Sequence, residues 1–185
     1  RPPLRRDIPI MLGAEGPKNI ALSAEIADGW LPLFFAPKDD AFYRGCHAEG
    51  FARPGARRTA DDFEVICTVP VIIHDDVDEV ADFIRPFLGP YMGGMGARGE
   101  YFHFDAFARM GCEATATKVQ ELYLAGDEQA AHAAVPTELV EQVALVGPAD
   151  TLRDDLQRWH ETCITTMLVS GPPNVLRQVA ELVAG

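Results

Sequence analysis

A glycine-containing loop between a predicted strand and a predicted helix carries the residue types in this sequence that are best suited to binding chemistry. Its seven residues are Gly13, Ala14, Glu15, Gly16, Pro17, Lys18 and Asn19. Glycine lets a ligand approach the backbone closely, the amides at a helix start favour anions, and Lys18 adds a mobile positive charge. The loop therefore predicts a site for a phosphate or another anion. The alternative is that Gly16 and Pro17 only start a helix and that Lys18 is solvated.

Other reactive residue types are isolated along the chain. His160 and Cys163 have i, i+3 spacing, but no second ligand pair accompanies them, so no metal site is predicted. The run Gly93–Arg98 permits either a flexible lid or a structural connector, and it lacks the lysine and hydroxyl of a phosphate loop. The acidic pairs form no nucleophile and base constellation, so catalytic residues stay unassigned.

The elements that must position the loop alternate between strands and helices. Predicted strands are Ile8–Leu12, Trp30–Phe35, Phe63–Ile73 and Thr165–Val169. Helices are predicted at Pro17–Ala27, at Asp40–Phe51 and after a capping box at Asp76–Glu79. A mostly helical stretch, about residues 91–143, forms an insertion between the third and fourth strands. These four βα units predict a parallel sheet in a single domain over residues 1–185.

Composition narrows the function classes. The chain has 185 residues, of which 48% are hydrophobic, which suits one soluble domain with a sizeable core. Its net charge of −12 disfavours nucleic acid and anionic membranes as partners, since both need basic patches. The sequence shows no apolar run of membrane-spanning length and no secretory signal, so we expect a cytoplasmic location. A start at Arg1 without Met favours a piece of something longer.

Four βα units fit two architectures. An open doubly wound, flavodoxin-like sheet needs no partner, whereas half of an eight-stranded barrel is incomplete, because such barrels normally need about 250 residues. A half-barrel leaves the edges of Ile8–Leu12 and Thr165–Val169 unpaired and an apolar face uncovered. We therefore expect a half-barrel to form a homo-oligomer or to pair with its missing N-terminal half.

Residue patterns favour the barrel. The stretch Ile8–Trp30 resembles the bacterial-luciferase-like oxidoreductases, and most of all the actinobacterial branch that uses the deazaflavin coenzyme F420. The stretches Tyr91–Arg98, with Tyr101, Phe102 and Asp105 soon after, and Val143–Asp150 also resemble that branch. This likeness runs over nearly the whole chain, but only onto the C-terminal half of a family member.

The resemblance implies a fold class and a set of site residues. The fold would be α/β, the C-terminal half of a luciferase-like (β/α)8 TIM barrel with a helical insertion before the last strand. The active site would lie at the carboxyl ends of the strands, where the Gly13–Asn19 loop contacts the side chain or phosphate of the coenzyme. Lys38 follows the second strand and would meet an anionic group of the substrate or coenzyme; the alternative is a solvated lysine beside packed aromatics. Ser170 and Gly171 follow the last strand, where barrels often place a phosphate site, and the alternative is that they only cap the last helix.

The same resemblance implies a function. The intact protein would be an oxidoreductase or monooxygenase that moves a hydride between reduced F420 and an organic substrate, with FMN as the nearest variant. Residues that handle protons in this family lie on the early strands, which this chain lacks, so the chain alone would be inactive. The alternative function is a non-catalytic half-barrel that serves as a binding or assembly module.

Overall fold

Six parallel strands carry the fold of this computed structural model, which describes residues 7–95 and 102–184. They are β1 (Met11–Leu12), β2 (Gly29–Trp30), β3 (Glu64–Thr68), β4 (Val71–Ile73), β5 (Leu145–Gly147) and β6 (Thr166–Leu168). Four of them form one sheet in the order β1-β2-β3-β6, and β4 pairs with β5. The predicted parallel sheet is confirmed, and β1 and β6 lie at its two edges as expected.

The prediction of one continuous strand over Phe63–Ile73 is wrong. Proline has no N–H to donate to a ladder, and the strand divides at Val69 and Pro70 into β3 and β4. Each part has its own partner: Ile66 of β3 pairs with Thr166, and Val71 of β4 pairs with Leu145. One predicted strand therefore serves two ladders.

Strand β5 was not predicted. The last helix of the insertion ends at Val143, and the strand Leu145–Gly147 then precedes the helix that begins at Ala149. The pairing of β5 with β4 joins residues that are 74 apart in sequence, such as Val71 and Leu145. A local sequence pattern cannot predict a strand that depends on such a distant contact.

Helices cover one side of the sheet and build the insertion. They are α1 (Pro17–Ile26), α2 (Asp40–Phe51), α3 (Val77–Gly89), α4 (Phe102–Phe107), α5 (Glu113–Leu124), α6 (Glu128–Ala133), α7 (Thr137–Val143), α8 (Ala149–His160) and α9 (Pro173–Ala184). A 3-10 turn spans Pro37–Asp39, and π-helical segments span Pro90–Gly94 and Ala108–Cys112. Among the described residues, no helix is long and apolar enough to cross a membrane.

Helix α3 begins and continues for separate physical reasons. The predicted cap is confirmed, because the Asp76 side chain accepts a hydrogen bond of 3.0 Å from the Glu79 amide. Pro86 lies inside α3, and the helix nevertheless runs through it to Gly89. The proline lies on the exposed side, while Ile84 and Leu88 bury the opposite face in the core. Tertiary packing here outweighs the lost backbone hydrogen bond.

Two hydrophobic cores follow from this arrangement. The first lies between the sheet and the outer helices, and among its members are Ile20, Trp30, Val65, Cys67, Leu152 and Trp159. The second lies between α3, the insertion and the segment after β2, and among its members are Phe34, Ile84, Leu88, Phe107, Val119 and Leu139. Because Phe34 and Phe35 follow β2 and enter different cores, the segment after β2 joins the two.

Helices α1 and α2 approach each other closely at Gly50. A Cβ atom added there would collide with the Ala21 carbonyl oxygen and lie 2.7 Å from the Ala24 Cβ. Gly45, on the exposed side of the same helix, has nothing within 4 Å of its Cβ position. The close approach fixes α1, and with it the loop at the start of α1.

We expect Gly50→Ala to lower the free energy of unfolding by about 3 kcal/mol, because the backbone of α1 must move to admit the methyl group. Gly45→Ala is the matched control and should raise it by about 0.5 to 1 kcal/mol through helix propensity. Urea denaturation of both variants measures the difference. Equal stability of the two would contradict the close approach.

Candidate functional site

The Gly13–Asn19 loop joins the carboxyl end of β1 to the start of α1. Gly16 takes the N-cap position with extended backbone angles (φ −86°, ψ 150°), and Pro17 follows at the first helical position. The Gly16 carbonyl oxygen accepts hydrogen bonds from the amides of Asn19 at 3.0 Å and Ile20 at 2.9 Å. Gly13, Pro17, Lys18 and Asn19 are exposed. The predicted helix start is confirmed, and the loop lies open to solvent.

Three hydrogen bonds hold the loop from beneath, and sequence reasoning found none of them. The Trp30 indole N–H donates to the Ala14 carbonyl oxygen at 2.8 Å. The Leu33 amide donates to Glu15 Oε1 at 2.8 Å. Arg109, from the insertion, donates through Nη2 to the Glu15 carbonyl oxygen at 2.7 Å. Strand β2, the segment after it and the insertion therefore all fix the loop.

Glu15 has an unusual electrostatic environment. Burial raises the pKa of its carboxyl group to about 7, although the Leu33 hydrogen bond and the Arg109 charge both act in the opposite direction. The Arg109 guanidinium also lies over the Phe42 ring, with Cζ 4.9 Å from the ring centroid. Among the predicted loop residues, Glu15 is thus a side chain whose charge can change near neutral pH.

Lys38 anchors the insertion. Its Nζ donates to the Met110 carbonyl oxygen at 2.6 Å, next to Gly111, whose φ of +79° marks a kink between two helical segments. Lys38 also lines a polar cleft of about 410 Å³, together with residues such as Glu138 and Arg158. The structure thus gives the ammonium a carbonyl partner, and the predicted contact with an anionic substrate stays a prediction.

An apolar groove of about 530 Å³ opens beside the ends of β4 and β6. Its lining includes Leu33, Phe34, Phe83, Phe87, Ser170 and Gly171. Phe83 is 79% exposed and Phe87 is 47% exposed, which is unusual for such large apolar side chains. Leu33 lines the groove and donates its amide to Glu15, so the groove adjoins the Gly13–Asn19 loop.

The remaining sequence candidates are placed as follows. Gly93 packs against α5, where an added Cβ would lie 2.6 Å from the Gln120 amide nitrogen, which favours the connector over the lid at this position. Gly96 to Arg98 lie outside the described residues. Within residues 7–95 and 102–184, no group of three or more His, Cys, Asp or Glu could hold a metal ion.

Comparison with known proteins identifies the family to which the chain belongs. A family model described as luciferase-like monooxygenase matches residues 1–166. A protein of Mycobacterium tuberculosis that is provisionally named a coenzyme F420-dependent oxidoreductase is 47% identical over 182 residues, which cover 98% of this chain and 52% of that protein. The chain spans about half the length of the curated relatives it matches.

Two solved structures share the fold. The coenzyme F420-dependent tetrahydromethanopterin reductase of Methanopyrus kandleri superposes with a TM-score of 0.68 at 24% identity, over 90% of this chain and 45% of that one. An F420-dependent secondary alcohol dehydrogenase, solved with an F420-acetone adduct, gives a TM-score of 0.61 at 14% identity, over 88% and 43%. The predicted fold class is confirmed, since each likeness covers about half of a luciferase-like barrel.

We expect Trp30→Phe to loosen the loop, because the Ala14 carbonyl oxygen loses its buried donor. The free energy of unfolding should fall by about 2 kcal/mol more than in Trp159→Phe, an equally buried tryptophan for which the described residues show no indole hydrogen bond. Amide hydrogen exchange over residues 13–20 should accelerate in Trp30→Phe alone. Identical behaviour of the two variants would contradict the contact.

Proposed function

Because the chain belongs to the luciferase-like monooxygenase family, we propose that it is part of an oxidoreductase that moves a hydride between reduced coenzyme F420 and an organic substrate. FMN is the alternative coenzyme. The observation that carries the proposal is the open Gly13–Asn19 loop at the carboxyl end of β1. In this proposal residues 1–185 form one partial-barrel domain.

The donor set of the loop fits an anionic coenzyme. Among the described residues, no carbonyl accepts a backbone hydrogen bond from the amides of Gly13 to Gly16, and Lys18 lies exposed beside them. Amides at the start of a ten-residue helix favour a phosphate, and an exposed ammonium strengthens that preference. Ser170 and Gly171, exposed at the end of β6, would supply a second contact.

The groove supports an organic substrate with apolar parts. Aromatic side chains of α3 and of the segment after β2 line the groove. Such a lining favours binding of the apolar parts of a ligand and excludes water from them. The coenzyme, when bound, supplies the hydride chemistry, and this chain supplies position and exclusion of water.

We expect coenzyme F420 fluorescence to change on titration with the chain, and Lys18→Ala to weaken binding about threefold to fivefold at low salt. The loss should shrink as salt screens the exposed charge. Lys118→Ala, an exposed lysine on α5, is the matched control and should bind as the wild type does. No fluorescence change at any protein concentration would refute the coenzyme proposal, whereas equal loss in both variants would refute the role of Lys18.

A second candidate function rests on a separate observation. Within residues 7–95 and 102–184 the four-stranded sheet has two free edges, and one of its faces leaves Leu31 40% exposed and Leu168 45% exposed. Parallel sheets are normally covered on both faces, so this face calls for a protein partner. The chain would then act as a binding or assembly module that forms a homo-oligomer or pairs with the other half of a barrel.

Sedimentation velocity tests this candidate. We expect concentration-dependent self-association, because β1 is an edge strand and Ile10, directly before it, is an exposed apolar side chain. Ile10→Lys should reduce the association, and Leu124→Lys, an exposed leucine on α5, should not. A stable monomer at high concentration would contradict homo-oligomer formation.

A further inference from the structure

The apolar groove beside the ends of β4 and β6 has no charged side chain in its lining, as far as residues 7–95 and 102–184 show, although 24% of the residues of the chain are charged. A bound anion would meet no lysine or arginine in that lining, and a bound cation would meet no aspartate or glutamate. An ion gives up hydration when it enters an apolar site, so an unpaired charge opposes binding there. The groove therefore selects against ions of either sign.

The polar side chains of the lining are neutral. Thr68 ends β3 and pairs with Leu168, which ends β6, and Ser170 follows two residues later. Gln178 lines the groove from α9. The side chains of Thr68, Ser170 and Gln178 are all exposed, and hydroxyl and amide groups can form hydrogen bonds without carrying a charge. This part of the lining suits a hydroxyl or carbonyl group of a ligand.

The aromatic side chains of the lining come from other elements. Phe34, after β2, packs edge-on against Phe87 of α3 with ring centroids 5.9 Å apart. Phe83, one turn earlier on α3, is 79% exposed. Ring edges and faces of this kind favour an aromatic ligand. The groove volume of about 530 Å³ lies within the range of about 300 to 1,000 Å³ that is typical of small-molecule pockets with apolar walls and few polar groups.

We propose that the groove binds an uncharged molecule with an apolar ring system, whose hydroxyl or carbonyl group forms a hydrogen bond at the ends of β3 and β6. This inference rests on the proposed function, because it names the class of substrate for the same groove. Leu33 lines the groove and donates its amide to Glu15, so the bound molecule adjoins the Gly13–Asn19 loop.

Displacement of Nile red, an uncharged dye that fluoresces in apolar surroundings, measures binding to the chain. The competitors share a naphthalene body and carry a hydroxymethyl, a carboxylate or an aminomethyl group at the same ring position. At pH 7 these compounds are neutral, negative and positive. We expect the hydroxymethyl compound to bind about tenfold more tightly than either ion. Equal or tighter binding of either ion overturns the inference.

Two substitutions locate the bound molecule in the groove. Phe83→Ala should weaken binding of the hydroxymethyl compound about fivefold, because it removes an exposed ring from the lining. Leu124→Ala, which removes an exposed side chain on α5, is the matched control and should bind as the wild type does. Thr68→Val should weaken the hydroxymethyl compound about threefold and leave unsubstituted naphthalene unchanged. Equal affinities of the wild type and Phe83→Ala, or equal effects of Thr68→Val on both compounds, contradict this placement.

An added charge should reverse the selection. Gln178→Arg places a cation in the lining at an exposed position, and we expect the carboxylate compound to bind about tenfold more tightly than it does to the wild type. Gln157→Arg makes the same change at an exposed position on α8, outside the lining, and should have no effect. The same response in both variants would show that the charge of the lining does not set the selection.

The proposed function is decided by a separate measurement, because the displacement of Nile red is followed without coenzyme. Preference for an ion in a chain that does bind coenzyme F420 overturns this inference and leaves the proposed function intact. Selection of the neutral compound by a chain that binds no coenzyme refutes the proposed function and supports the groove as a site for an uncharged ligand.

Discussion

The indole of Trp30 is the contact on which the rest of the architecture depends. The side chain is fully buried and packs against Tyr43 of α2 with ring centroids 5.2 Å apart. It also packs edge-on against His47, at 5.0 Å. At the same time its N–H binds the Ala14 carbonyl oxygen. One residue of an inner strand therefore joins the sheet, the outer helices and the open loop, and burial supplies the energy that orients a polar bond.

His47 shows what this apolar setting does to a titratable group. Burial lowers the pKa of its imidazole to about 4, so the ring is neutral at physiological pH and behaves as an aromatic core residue. The same low-polarity surroundings raise the pKa of Glu15. The low-polarity surroundings therefore favour the neutral form of both a base, His47, and an acid, Glu15. Of these two residues, only Glu15 lies in a loop that is open to solvent.

Local sequence signals were sufficient to predict where helices begin, because a cap residue sets the backbone conformation there. Gly16 and Pro17 marked the start of α1, and Asp76 marked that of α3, because caps act over three residues. Two features were not predicted because each depends on a contact between residues far apart in the sequence. Leu145–Gly147 becomes a strand only through β4, and Lys38 finds its carbonyl partner 72 residues away, in the insertion. The position of the Gly13–Asn19 loop before α1 was predicted, whereas the hydrogen bonds that Trp30, Leu33 and Arg109 donate to it depend on tertiary structure.

The division of the third predicted strand at Pro70 has a consequence for how such a chain can change. The segment that contains α3 and the insertion leaves the sheet after β4 and returns at β5. These two short strands pair with each other, and the His74 amide donates to the Gly147 carbonyl oxygen at 3.0 Å. Its two ends are therefore held side by side, independently of what lies between them. Segments with adjacent ends can be lengthened, shortened or exchanged at little cost to their host. The β4–β5 pair makes this whole segment replaceable, so that the groove-lining aromatic residues of α3 can vary while the ladder of β3 and β6 stays unchanged.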